Sequence, residues 1–363
     1  MGDGRYPWQV KLMNTIQSKA KPWIMWGVMF LLMALFAHVV IEGTVQLFFA
    51  KRSGIWRHLE GFRNNAQKDG LSLDQYGKKV GLDAYHGWGG TNVRIHEATS
   101  SLDHPQTVLF IGDSVTAGHD VRAGEEDYPA RIAAMLGDKG VRVVNLAVRG
   151  YGVDQMWLKL LTAAAKYHPN LIVFAYIPHD LLRPGNDFNF GLPKPKFRFA
   201  NAQATLTLAE GITEYNDSYD AARSGFRLSW WYVAHYWRNK EYYAPRLFTN
   251  YYIRLFRHIG DGLAQLSQEL GIPVVIVKLT NIDDFTGSSK LIQLAAYGLA
   301  QPTGWKSANV NYVDLDPCVK PKALAQEVDI DKEFHHHPGP IGHVLMAECL
   351  GDYLDSVLIA PNR

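Results

Sequence analysis

Between Trp23 and Ile41 the chain reads WIMWGVMFLLMALFAHVVI, nineteen residues without an Asp, Glu, Lys or Arg. At about 1.5 Å per residue, a helix of this length crosses a bilayer core of about 30 Å. A cleaved signal peptide has a shorter apolar run ending at a small-residue cleavage site. This run instead continues through Glu42 into VQLFFA with no such site, so residues 23–50 are read as an uncleaved membrane anchor in contact with lipid, preceded by a cytoplasmic tail over residues 1–22. Trp23 and Trp26 at one end and Phe48 and Phe49 at the other suit the two interfaces. Charge does not orient the span, because Arg5, Lys11, Lys19 and Lys21 precede it and Lys51, Arg52 and Arg57 follow it. His38 and Glu42 share one helix face near its end, and both are expected to reach the headgroup region rather than a protein partner.

The rest of the chain is that of a globular body. Of the 363 residues, 47% are hydrophobic and 20% charged, which supports a full core and excludes a disordered or disulfide-scaffold chain. Lys and Arg number 37 against 35 Asp and Glu, so no field favours a nucleic-acid partner. Two cysteines, Cys318 and Cys349, are too few for a thiolate zinc site. They are able to form one bridge in an oxidising compartment, while Cys349 alone reads as a core residue.

Residues 51–106 show weak periodicity and read as a juxtamembrane connector with short elements. From there the pattern sharpens into an α/β body over 107–363. Strands are predicted at Val108–Ile111, Val141–Leu146, Leu171–Ile177, Pro273–Leu279 and Val310–Leu315. Helices are predicted at Pro129–Leu136, Gln155–Tyr167, Tyr251–Leu270 and Gly342–Leu358. Alternation of this kind implies a parallel sheet with right-handed crossovers. An insertion over about 187–250 carries Phe226, Trp230, Trp231, Tyr232, Tyr236, Trp237, Tyr242 and Tyr243. Either a satellite core or a sugar- or partner-binding surface accounts for that composition.

Ligands of an open parallel sheet sit beyond the carboxyl ends of its strands. After the first strand comes Gly112-Asp113-Ser114, where Gly112 permits a tight turn and Asp113 orients it. Ser114 is placed there as an N-cap or as a nucleophile. After the second comes a glycine-bearing loop, Asn145 to Gly152, and after the third Pro178-His179-Asp180, with Asp180 expected at the surface or supporting the site from behind. Before the closing helix stands HHHPGPIGH, residues 335–343. These four blocks, FIGDSVTAG, NLAVRGYG, PHD and HPGPIGHVLMAE, resemble in order those of the SGNH (GDSL) hydrolase superfamily and its membrane-anchored or exported bacterial members, over Thr107 to Leu358. The Pro195-Lys196-Phe197 triplet is similar to that group as well.

The resemblance implies a three-layer α/β domain behind one transmembrane helix, located in a bacterial cytoplasmic membrane with the body on the periplasmic side. It implies Ser114 as nucleophile, His337 as general base, and the N–H groups of Ser114 and Gly150 in an oxyanion hole, with no cofactor and no metal. An acylated glycan is the implied substrate of an ester hydrolase or O-acyltransferase, and a subunit of a membrane complex is the alternative. Two positions depart from the family. His179 stands where an Asn completes the oxyanion hole, and His335 and Phe334 stand where the triad Asp is expected, leaving Glu333, Asp331 and Asp329 as off-spacing carboxylates. His179 has one N–H to offer in the Asn's place. A zinc site on His335, His336, His337 and His343 is disfavoured, because consecutive residues of an extended segment point in alternate directions. His343 is instead expected to pack or cap.

Overall fold

The computed structural model describes residues 7–49, 54–97, 105–189, 192–200, 203–209, 211–286, 309–334 and 337–359, so His335 and His336 lie outside the described residues. The chain divides into two compact units, residues 1–57 with 217–234 and residues 58–216 with 235–363.

In the first unit, helix α1 (Pro7–Thr44) continues as a π-helical turn through Phe49. Its stretch Trp23–Phe48 is long and apolar enough to cross a membrane, and its apolar side chains are exposed. One face of α1 is not bare. His38 meets the edge of the Phe226 ring with centroids 6.0 Å apart, and Gln46 donates to the carbonyl of Arg223 at 3.0 Å. Between them Glu42, fully buried, accepts the backbone N–H groups of Leu228 and Ser229, the latter at 2.9 Å. The expectation that His38 and Glu42 merely reach for headgroups is therefore corrected. Spaced four residues apart, the three side chains form a stripe on which the turn between helices Ile212–Ser224 and Leu228–Arg238 is held.

The second unit holds a six-stranded sheet. Its strands are β1 (Arg94–His96), β2 (Gln106–Ile111), β3 (Val141–Asn145), β4 (Leu171–Tyr176), β5 (Val274–Lys278) and β6 (Val310–Asp314), in the order β1-β3-β2-β4-β5-β6. The last five are parallel. β1 alone runs antiparallel, pairing Ile95 with Val144. The region 51–106 supplies short elements, two helices (Gly54–Lys68 and Leu73–Lys79) and the edge strand β1.

Alternation along the strands builds a core on each face. Leu109 and Ile111 of β2 join Ile172 and Phe174 of β4 against Met156 and Trp157 of helix Val153–Tyr167 and Phe256 and Ile259 of helix Thr249–Leu270. Val108 and Phe110 join Leu171 and Val173 on the other face, against Ile132 of helix Tyr128–Leu136 and Leu345, Met346 and Leu350 of helix Pro340–Ile359. Helices above and below one sheet make the expected three layers. Cys349 lies in the second core, bonded to Cys318.

Within this unit the parts of the 187–250 segment outside 217–234 form a satellite core. Phe188 stacks on Tyr215 at 4.3 Å, and the Tyr215 hydroxyl lies 3.1 Å from Nδ1 of the buried His235. Lys194 and Lys196 sit beneath it with no exposed surface to speak of. The first is paired with Asp154 at 2.6 Å and the second with Glu241 at 2.9 Å, so both burials are compensated by charge.

Candidate active site

β2 is the switch point of the sheet, because β3 lies on one side of it and β4 on the other. The crevice that such a reversal opens lies beyond the carboxyl end of β2, where Gly112-Asp113-Ser114 follows. A Cβ on Gly112 would fall 2.2 Å from Thr116 Oγ1, so only glycine lets the chain fold back so tightly. Ser114 does not begin a helix. One helical turn forms, with Ala117 N–H donating to the Asp113 carbonyl and His119 N–H to that of Ser114, and Gly118 at φ +68° ends it. Asp113 takes the Val115 N–H on Oδ1 at 2.9 Å, the orienting role expected of it, and its Oδ2 lies 3.1 Å from Ser114 Oγ.

His337 reaches this turn from the segment before the closing helix. Its Nε2 lies 3.0 Å from Ser114 Oγ, and its Nδ1 lies 3.1 Å from Oδ2 of Asp120. Asp120 is the carboxylate that sequence spacing missed. It comes from the serine's own turn, in the left-handed region at φ +69°, rather than from the neighbourhood of the histidine. The off-spacing acids do other work. Glu333 is buried and accepts the Ile341 N–H at 2.9 Å, Asp329 caps a short helix through Lys332 N–H, and Asp331 is exposed.

His119 stacks on His337 with centroids 4.3 Å apart and holds Asp120 Oδ1 at 2.8 Å through its own Nδ1. Burial, and then His119, push the His337 imidazole below its ordinary range, and Asp120 only partly opposes this. A neutral base at neutral pH results. Donation of Nδ1–H to Asp120 leaves the Nε2 lone pair facing the serine.

Gly150 sits on the next strand end at φ +80°, in a loop pinned from behind. Trp88 Nε1 donates to the Arg149 carbonyl at 2.8 Å, and Arg183 donates to that of Tyr151 at 2.7 Å. The backbone N–H groups of Ser114 and Gly150 donate to no described residue. His179, on the 3-10 turn Pro178–Leu181, lines the same cleft with Ser114 and Gly150, and its ring makes no hydrogen bond to a described residue. Its pKa is pushed down to about 4 by burial and then by Arg183, so it offers a neutral imidazole with one N–H. Asp180 is not at the surface. It is fully buried, accepts the Ile177 N–H at 3.0 Å and pairs with Arg183, whose guanidinium also lies 3.6 Å from Asp113.

The cleft measures about 700 Å³, and Arg149, Arg183, Asn281 and Asp283 line it together with Ile177 and Ile282. Arg94 of β1 donates to the Ala117 carbonyl at 2.6 Å, so the edge strand from the 51–106 region braces the serine's turn. His343, as expected, packs and caps. It stacks on Tyr128 and accepts that residue's N–H at 3.2 Å. Among the described residues, the group with metal-ligand atoms in mutual reach, within 4.8 Å, is His119, Asp120 and His337.

The sequence model of the GDSL-like lipase/acylhydrolase family matches residues 110–345, well over half of the chain. None of the curated protein sequences matches significantly. Among solved structures, an acetylxylan esterase from Geobacillus stearothermophilus is 14% identical with a TM-score of 0.40, covering 68% of this chain and 92% of its own. An α/β hydrolase from the metagenome of Lake Arreo, Spain, is likewise 14% identical with a TM-score of 0.40, over 68% and 93%. A two-domain esterase active on acetylated mannans is 12% identical with a TM-score of 0.39, covering 70% of this chain, which spans half the length of that protein.

Proposed function

This chain belongs to the GDSL-like lipase/acylhydrolase family, and from that premise we propose that it cleaves or transfers a short acyl ester at Ser114. The observation that carries the reading is the relay of Ser114 Oγ, His337 and Asp120, with successive contacts of 3.0 and 3.1 Å. Ser114 Oγ attacks the acyl carbon while His337 Nε2 takes its proton. The N–H groups of Ser114 and Gly150 and the ring N–H of His179 meet the oxyanion, each donor of this kind being worth about 3 to 4 kcal/mol. His337 returns the proton to the leaving alcohol. The acyl group then on Ser114 passes to water or to a second alcohol, which makes hydrolase and O-acyltransferase two outcomes of one intermediate.

The walls of the cleft support a short acyl group on a polar carrier such as a glycan. Arg149, Asn281 and Asp283 offer hydrogen-bonding groups to such a carrier. A membrane anchor over 23–50 with the body on the extracytoplasmic side of a bacterial membrane fits the Cys318–Cys349 disulfide, which is at home in an oxidising compartment. The alternative of a silent subunit of a membrane complex drew on two departures from the family, and a carboxylate from Asp120 answers one of them. Labelling by a fluorophosphonate probe tests the reading. The folded protein is expected to label and Ser114→Ala to remain blank, whereas equal labelling of both would exclude Ser114.

A further inference from the structure

Intramembrane carboxylates are costly unless paired, and Glu42 is paired with more than the Gln46 side chain, which donates to it at 3.1 Å. It accepts the first two backbone N–H groups of helix Leu228–Arg238, donors that have no intrahelical partner, from 186 residues away. Glu42 stands six residues before Phe48, the end of the apolar span. At about 1.5 Å per residue, this helix start is therefore held about 9 Å inside that end. Backbone at such depth needs its donors satisfied, which is what Glu42 supplies. His38 against Phe226 and Gln46 on the Arg223 carbonyl fix the same turn from either side.

The turn itself exposes Arg223 and Arg227, whose long side chains are able to reach headgroups, and the helix that follows it exposes apolar side chains. Trp230 and Val233, three residues apart and so on one helix face, are 65% and 60% exposed, and Leu47 and Phe48 at the end of the span are 70% and 62% exposed. We propose that residues 225–234 form a second membrane-contacting element, a helix start laid into the lipid interface beside the span, with Trp230 and Val233 in the acyl boundary and Glu42 as its tether. The occupant is lipid rather than protein, because this face continues the lipid-facing surface of the span at the depth, about 5 to 10 Å, at which interfacial helices settle. Tryptophan is the side chain most enriched there.

The test places a nitroxide at Trp230→Cys and at Val233→Cys in the full chain, reconstituted into vesicles of phosphatidylcholine and phosphatidylglycerol. The native thiols are consumed in the disulfide, so only the new cysteine is labelled. Glu269→Cys, exposed near the end of helix Thr249–Leu270, is the reference. Relaxation by dissolved oxygen should exceed that by a water-soluble nickel chelate at 230 and 233, with a depth of about 5 to 10 Å, and the order should reverse at 269. Nickel access at 230 and 233 equal to that at 269 would overturn the proposal by placing the turn in water. Exclusion of both reagents would overturn it in favour of a second copy or another protein. Adding Glu42→Ala to the Val233→Cys chain should raise nickel access at 233 several-fold with 269 unchanged, and Glu42→Gln, which keeps an acceptor, should raise it less. A depth at 233 indifferent to Glu42→Ala would remove the tether. None of these readings depends on ester chemistry.

Discussion

Replacing Asp120 by Asn isolates the charge of the proposed acid. Asparagine also tolerates the left-handed backbone at φ +69°, and its amide oxygen is still able to accept Nδ1–H, so the turn and the tautomer survive. What is lost is the counter-charge of the imidazolium formed in the transition state. A hydrogen bond to a charged group contributes about 1.5 to 3 kcal/mol, and with the Asp120 side chain 57% exposed screening brings it to the bottom of that range or below. About 1 to 1.5 kcal/mol then disappears, a fall of about 5- to 15-fold in kcat/KM. That is far less than the roughly 10⁴-fold seen where the triad acid is buried. The assay is hydrolysis of an aryl acetate, with Asp331→Asn, an exposed site outside the cleft, as control for net charge. A kcat/KM within twofold of the control would refute Asp120 as the acid. A loss of a thousandfold or more would refute the reasoning from exposure.

The pH profile gives a second check. His337 acts as a base only when neutral, so activity is present above its lowered pKa and lost as pH falls through it. The acid limb of kcat/KM should therefore lie below about 6.5, the ordinary imidazole value. Because His119 is among the causes that hold it down, His119→Ala should move the limb upward, whereas Asp120→Asn should move it further down. Identical limbs in all three proteins would detach the pH dependence from His337. At the oxyanion site, His179→Ala should lower kcat by about 10²- to 10³-fold with KM little changed, and His179→Asn should retain most of the activity. An unaffected His179→Ala would leave the two backbone donors as the whole hole.

How much of this was legible beforehand follows from the range of each interaction. Strands β2 to β6 and the helices between them were readable because burial on both faces leaves continuous apolar runs, and one-sided burial leaves a helical period. That Ser114, Gly150, His179 and His337 line one cleft was legible from strand ends that converge on one crevice together with the resemblance of their four blocks to the family. β1 was not, since three residues reading Arg-Ile-His at a sheet edge carry no pattern, and their antiparallel pairing with β3 is decided by where the chain returns.

Asp120 was hidden for a different reason. A carboxylate serves an imidazole by distance, not by sequence spacing. The left-handed backbone that carries it within 3.1 Å of a histidine 217 residues away is a property of the folded turn. Glu42 is the same case in the first unit. Its place in an apolar run could be read directly from the chain, but its partners are backbone N–H groups at a helix start 186 residues on. Local composition determined which segments are buried and which residue types stand at the strand ends. Tertiary structure alone decided which distant groups satisfy the charges and donors that this burial leaves behind, because that pairing depends on distances no sequence pattern encodes.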